Sequence, residues 1–184
     1  MYDELIEKIH KNAIDHGWWE AERSIGEIIA LCHSELSEAL EEYRGRKPNL
    51  YFVEVNGFMV TEMNEWRGEK LEGIAIELAD CVIRILDYMG YCQQSADKLI
   101  VGCKDDCDHK NNFGDFISNC HFYLSEAYIY GILSIPEFSF GFLSGCIIEI
   151  QNYLKSNNYD LVGLIELKHA YNVTRSYKHG GKRI

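Results

Sequence analysis

Two short stretches constrain this chain more than anything else in it. Ser34-Glu35-Leu36-Ser37-Glu38 and Glu77-Leu78-Ala79-Asp80 each set two carboxylates three residues apart inside an apolar helical pattern. On a helix, positions i and i+3 share a face, with Cβ atoms about 5–6 Å apart. Two such pairs on packed neighbouring helices bring four carboxylates together. That much negative charge cannot share a water-poor site unless it is protonated or neutralised by cations. The expectation is a divalent-metal site between two helices.

The surrounding periodicity supports those helices. From about Ser24 to Arg44, Ile25, Ile28, Ile29, Cys32, Leu36, Ala39 and Tyr43 form an apolar stripe, and Ser24 with Glu27 makes a capping box. Glu35, Glu38 and Glu42 lie along the stripe's edge, where a side chain can reach between helices, while Glu41 turns away. A second helix runs from about Glu72 to Met89, with Glu77, Asp80, Arg84 and Asp87 on one stripe beside apolar Leu78, Val82, Ile85 and Leu86. Between the two, Tyr51–Val55 and Phe58–Thr61 flank Asn56-Gly57, the signature of a small β-hairpin with a type I′ turn near 50–61. A short amphipathic helix over residues 2–15 precedes them, stopped by His16-Gly17 and followed by the adjacent pair Trp18-Trp19. Adjacent tryptophans cannot face one way, so one is expected in the core and the other exposed or walling a pocket.

Composition excludes several classes. A chain of 184 residues fits one domain, and only 2 prolines favour long helices over a sandwich of short strands. A net charge of −11 argues against binding a nucleic-acid polymer through a basic surface. The most lipid-like stretch, Ala127 to Ile148, is interrupted by Pro136 and Glu137, so it reads as helix, turn, helix and not as a membrane span. No secretory leader is visible, so the 7 cysteines are expected to be reduced thiols in a cytoplasmic protein. Cys103-x3-Cys107-x-His109 matches no common zinc knuckle closely.

The chain also repeats itself. Cys120-His121-Phe122-Tyr123-Leu124-Ser125-Glu126-Ala127 matches Cys32-His33-Ser34-Glu35-Leu36-Ser37-Glu38-Ala39 at six of eight positions, offset by 88 residues. Cys146, Ile148, Ile150 and Tyr153 align with Cys81, Ile83, Ile85 and Tyr88 at an offset of 65, so the second copy is shorter by roughly the length of the hairpin insertion. The fold expected is all-α: a four-helix-bundle core built from a tandem helix pair, the first copy at 24–89 and a degenerate one at 113–156. In that second copy Glu35 becomes Tyr123, Glu77 becomes Phe142 and Asp80 becomes Gly145. The carboxylates are therefore dispensable for building the pair, which points to a functional role in the first copy. The bundle could close within one chain or within a homodimer; the sequence leaves both open.

A last helix, capped by Asp160 and expected to run to about Tyr177, opens with Leu161, Leu164 and Ile165 and continues the same stripe as Lys168, Asn172, Arg175 and His179. The tail over 160–184 ends Lys178-His179-Gly180-Gly181-Lys182-Arg183-Ile184. Lys, Arg and Asn suit phosphate oxygens, and paired glycines let backbone approach a ligand.

These segments together resemble the MazG-like branch of the all-α nucleoside triphosphate pyrophosphohydrolases, which includes the dimeric dUTPases and dCTPases. The family pattern is Glu-Glu-x-x-Glu on one helix and Glu-x-x-Asp on the next; this chain has Ser34-Glu35-x-x-Glu38 and Glu77-x-x-Asp80, with Ser34 departing from the doubled glutamate. Lys168-x3-Asn172-x2-Arg175-x3-His179-Gly180-Gly181-Lys182 resembles the closing motif of the same subgroup. The resemblance implies hydrolysis of a nucleoside triphosphate between the α and β phosphates, in the service of nucleotide-pool sanitation. It implies Glu35, Glu38, Glu77 and Asp80 as catalytic residues and ligands to Mg2+, with Mn2+ a substitute. Lys168, Asn172 and Arg175 would bind phosphate or sugar, joined by Lys178, His179 and Lys182, and Trp18 or Trp19 would stack on the base. Two other readings stand beside it. One is a di-iron carboxylate bundle, for which Glu7-x-x-His10 and Glu166-x-x-His169 supply the motif. The other is an inactive paralogue that binds a nucleotide or a protein.

Overall fold

The computed structural model describes residues 1–53, 59–61, 69–100 and 112–181. The protein is mostly helical, with one small antiparallel sheet. Helix α1 spans Tyr2–Asp15; His16 caps it, and Gly17 follows at φ +79, the left-handed stop that a glycine tolerates. Helix α2, Ile25–Arg44, begins with the capping box expected: the Glu27 amide donates to Ser24 Oγ at 3.1 Å and the Ser24 amide donates to Glu27 Oε2 at 2.7 Å. Strands β1 (Tyr51–Val53) and β2 (Met59–Val60) pair antiparallel, Phe52 opposite Val60. The Asn56-Gly57 turn lies outside the described residues.

A third strand, β3 (Lys70–Glu72), pairs with the other edge of β1, so the sheet order is β2-β1-β3. The sheet hands the chain directly into α3, Ile74–Tyr91. Helix α4 (Ala96–Ile100) is tied to the chain start, where Asp97 accepts from the Tyr2 amide at 2.9 Å and the Asp97 amide donates to Asp3 Oδ1 at 3.1 Å. Helices α5 (Phe113–Ile132) and α6 (Pro136–Ser156) form the second long pair, broken at Pro136 as the sequence required. No described helix is long and apolar enough to cross a membrane.

Helix α7 is Leu161–Val173, with the Gly163 amide donating to Asp160 Oδ2 at 2.9 Å. It stops four residues short of the Tyr177 expected, because Asn172, Val173 and Thr174 are weak helix formers in succession and the Thr174 hydroxyl bonds back to the Tyr171 carbonyl at 2.7 Å. A final short turn, α8, covers Lys178–Gly181.

The core runs along the seams where α2 packs on α3, α5 on α6, and α2 on α5. Leu36, Leu78, Leu86, Leu124 and Leu143 are fully buried there, each contributing about 1.5–3 kcal/mol relative to exposure. At the centre stand four buried free thiols, Cys32 on α2, Cys81 on α3, Cys120 on α5 and Cys146 on α6. Cys32 contacts Cys81, Cys81 contacts Cys146, and Cys146 contacts Cys120. Thiol–thiol contacts first, and burial after them, hold Cys32, Cys81 and Cys146 well above the ordinary thiol value, so they pack as small apolar groups. One residue along α2 and α5 from Cys32 and Cys120, His33 and His121 stack with Nδ1 atoms 2.7 Å apart. Helix α1 lies across α3, and α7 packs on α3 from another side, and this leaves a cleft among the three.

Candidate functional site

Glu35 projects from α2, and Glu77 and Asp80 from α3, into the seam between those helices. Carboxylate oxygens from all three lie within 4.8 Å of one another. Glu35 and Glu77 are only 6% and 5% exposed, while Asp80 is half-buried. The fourth expected carboxylate, Glu38, does not join them. It is exposed, and its Oε1 accepts from the Ser34 hydroxyl at 3.2 Å. Three residues of helix turn Glu38 about 60° away from Glu35, which carries it to the rim, where its charge still acts on Glu35 and Glu77.

Three clustered acids, two of them buried, need compensation, and two cations supply it. Lys168 on α7, itself 5% exposed, places Nζ 2.7 Å from Asp80 Oδ2. Burial pulls its pKa down, but Asp80, Glu77 and Glu35 together outweigh burial and hold Lys168 above the ordinary lysine value. Arg84, one turn beyond Asp80 on α3, donates from Nε to Glu35 Oε1 at 2.5 Å. Two cations balance two carboxylates. The third, Glu77, is pushed up to about 9 by burial first and by Asp80 second, so it takes a proton where no further cation stands beside it. Glu35 is also raised, by burial, against the pull of Arg84.

The donor set is all carboxylate oxygen, which suits a hard divalent cation such as Mg2+ or Mn2+ over a soft one. No histidine joins it among the described residues.

From Asp80 a cleft of about 90 Å³, open to solvent at its mouth, extends along α3 to Asp87. Ile9 and Asn12 of α1, His169 and Asn172 of α7, and Trp18, Arg23 and Arg175 line it together with that face of α3. The candidate substrate residues thus divide. Asn172, Arg175 and Trp18 line the cleft, and Asn172 Oδ1 is buried without a hydrogen-bond partner among the described residues.

Trp19 faces elsewhere. Its Nε1 donates to Asp87 at 2.9 Å, and its ring stacks on Tyr91 at 4.2 Å between centroids. Both tryptophans are half-buried: Trp19 packs against the hydrophobic core and Trp18 walls the cleft, the division expected of the pair. Lys178 pairs with Glu20 at 2.7 Å, and its amide donates to the His16 carbonyl at 3.1 Å. Tyr177 lies so close over Gly17 that any larger residue there would collide with its ring. Lys178 therefore fastens the tail to the loop after α1, away from the cleft lining. The His179 side chain, Lys182 and the Cys103–His109 run lie outside the described residues.

Two cationic cleft residues were not among the sequence candidates. Arg84 shares the stripe of Glu77 and Asp80, and that stripe was its signal. Arg23 had none, because a charged residue just before a helix cap ordinarily faces water.

No family model, curated protein or solved structure matches this chain.

Proposed function

We propose that the protein is a divalent-metal-dependent nucleoside triphosphate pyrophosphohydrolase of the MazG-like kind, hydrolysing its substrate between the α and β phosphates. The observation that carries this reading is the convergence of Glu35, Glu77 and Asp80 at the head of a cleft lined by Trp18, Asn172 and Arg175. Bound Mg2+ would polarise the phosphorus and lower the pKa of an attacking water. Glu35, Glu77 and Asp80 are the residues that would hold it, with Glu38 at the rim available to a second ion or to the water's proton.

The chain's own cations have distinct tasks. Lys168 keeps the acidic cluster compact before cations arrive and then stands beside the phosphates. Arg175, on the cleft wall, neutralises phosphate charge. Asn172 Oδ1 is an acceptor, so it takes a sugar hydroxyl and not a phosphate oxygen. Trp18 offers a stacking face to the base.

The architecture is read as a duplicated helix pair, α2–α3 and α5–α6, forming one pseudo-symmetric four-helix bundle. Equivalent features recur in both copies. Ser37 bonds back to the His33 carbonyl and Ser125 to the His121 carbonyl, both at 2.8 Å. In the second copy Tyr123 occupies the place of the first copy's acidic cluster: a Cβ added at Gly145 would sit 2.6 Å from its ring. The di-iron reading fits less well, since Glu7 is exposed and Glu166 is an exposed partner of Lys8. A cytoplasmic nucleotide-sanitation role accords with free thiols and an acidic surface.

The test is a panel of canonical and modified nucleoside triphosphates with Mg2+, scored for pyrophosphate against orthophosphate. Pyrophosphate with a monophosphate supports the proposal; orthophosphate, or no turnover across the panel, contradicts it.

A further inference from the structure

Arg23 is a guanidinium kept from water with part of its hydrogen bonding unused. The residue is 8% exposed and lines the cleft, and its Nε and Nη2 have no hydrogen-bond partner among the described residues. Its planar face is occupied, with Cζ 5.5 Å from the Trp19 ring centroid. What remains is the Nε/Nη2 edge, two parallel N–H donors in one plane. A buried donor left unmade is costly, and this edge is shaped for two neighbouring in-plane acceptors on one ligand.

Resting on the nucleotide reading above, we propose that Arg23 reads the nucleobase, selecting bases with two adjacent acceptors. Guanine offers these as O6 and N7, and cytosine as O2 and N3. Adenine and uracil set a donor beside every ring acceptor that such a fork could reach together with a neighbour, so they leave one N–H of Arg23 unmade.

Position argues for base over phosphate. The cation site marks the phosphate end, at Asp80. Arg23 lies toward the other end, with its guanidinium 5.5 Å from the Trp19 ring whose Nε1 donates to Asp87 at 2.9 Å, and Asp87 lies seven residues along α3 from Asp80, about 10 Å of helix. The Asp87 carboxylate, held by His10 Nδ1 at 2.7 Å and Trp19 Nε1 at 2.9 Å, lines that end and would repel a phosphate. A neutral base meets no such repulsion. It stacks on Trp18 while its edge engages Arg23.

The test is calorimetric titration of the full chain, with Mg2+, by the monophosphates of guanosine, cytidine, adenosine and uridine, for the wild type, Arg23→Met and Arg23→Lys. The expected result is that guanosine or cytidine monophosphate binds the wild type about tenfold or more tighter than the other two. Both variants should lose that preference while binding adenosine and uridine monophosphates as the wild type does. Which of the two is favoured identifies the base. Lysine keeps the charge but not the fork, so restored affinity in Arg23→Lys would mark a phosphate contact and overturn the proposal. Equal weakening for all four bases in both variants, or no preference in the wild type, would overturn it as well. Selective binding without pyrophosphate release would uphold Arg23 and contradict the hydrolytic reading; pyrophosphate release from all bases alike would do the reverse.

Discussion

Lys168 and Asp80 form an ion pair of 2.7 Å between α7 and α3, with Lys168 almost wholly out of water. This contact joins the last long helix to the acidic pairs on α2 and α3, and it makes the cluster of Glu35, Glu77 and Asp80 tolerable without a metal. Replacing Lys168 by Met should leave those acids uncompensated and cost about 3–5 kcal/mol. Thermal melts check this. The Lys168→Met protein should melt lower than the wild type, and added Mg2+ should raise its Tm by more than it raises the wild type's, because cations then supply the missing charge.

Glu77→Gln separates chemistry from folding. Glu77 is pushed up to about 9 by burial and by Asp80, so in the metal-free chain at neutral pH it is already uncharged, and glutamine is close to isosteric with that form. Stability should change by about 1 kcal/mol or less, while pyrophosphate release should fall at least a hundredfold. Glu38→Gln, at the exposed rim, should leave stability unchanged and also abolish turnover; full activity in either variant would remove that residue from the site.

The close approach of Gly145 and Tyr123 makes a packing prediction. Gly145→Ala drives a methyl into the Tyr123 ring, which would lie 2.6 Å away, and should destabilise the protein by about 1–3 kcal/mol. Pairing it with Tyr123→Ala should remove most of that penalty relative to Tyr123→Ala alone. Urea denaturation of the four proteins in the cycle measures the coupling.

Acid stability should turn on the His33–His121 contact. Both rings are held below the ordinary value of 6.5 by burial, and His121 adds to the effect on His33. One Nδ1 must accept from the other across 2.7 Å, which two imidazolium rings cannot do. Below about 6.5 the unfolded chain binds protons that the folded chain does not, so stability falls as pH drops through that window and recovers above it. Urea midpoints at pH 7.5 and 5.5 should differ less in His121→Gln than in the wild type.

The fold was legible where its causes are local. Ser24 and Glu27, Gly17, Asp160 and Pro136 mark helix ends through hydrogen bonds and backbone angles that involve only near neighbours, and the structure places those ends where they lie. Strand β3 was hidden because three residues carry no measurable alternation and its partner, β1, is distant in sequence. The site was half legible. Helical spacing put Glu35, Glu77 and Asp80 together, but it could not say that Glu38 turns outward while Asp80, at the same angular step from Glu77, is drawn in by Lys168. Nor could it choose between Trp18 and Trp19, a choice made by Tyr91 and Asp87 from α3. Arg23 was invisible for the same reason: its surroundings come from three other elements.

Hydrolysis in water enriched with oxygen-18 tests the central claim most directly. If carboxylate-held cations direct water onto the α-phosphorus, the label must appear in the nucleoside monophosphate and leave the pyrophosphate unlabelled, in a reaction that stops when Mg2+ is chelated. Label in pyrophosphate or orthophosphate, or turnover that survives chelation, would contradict the account.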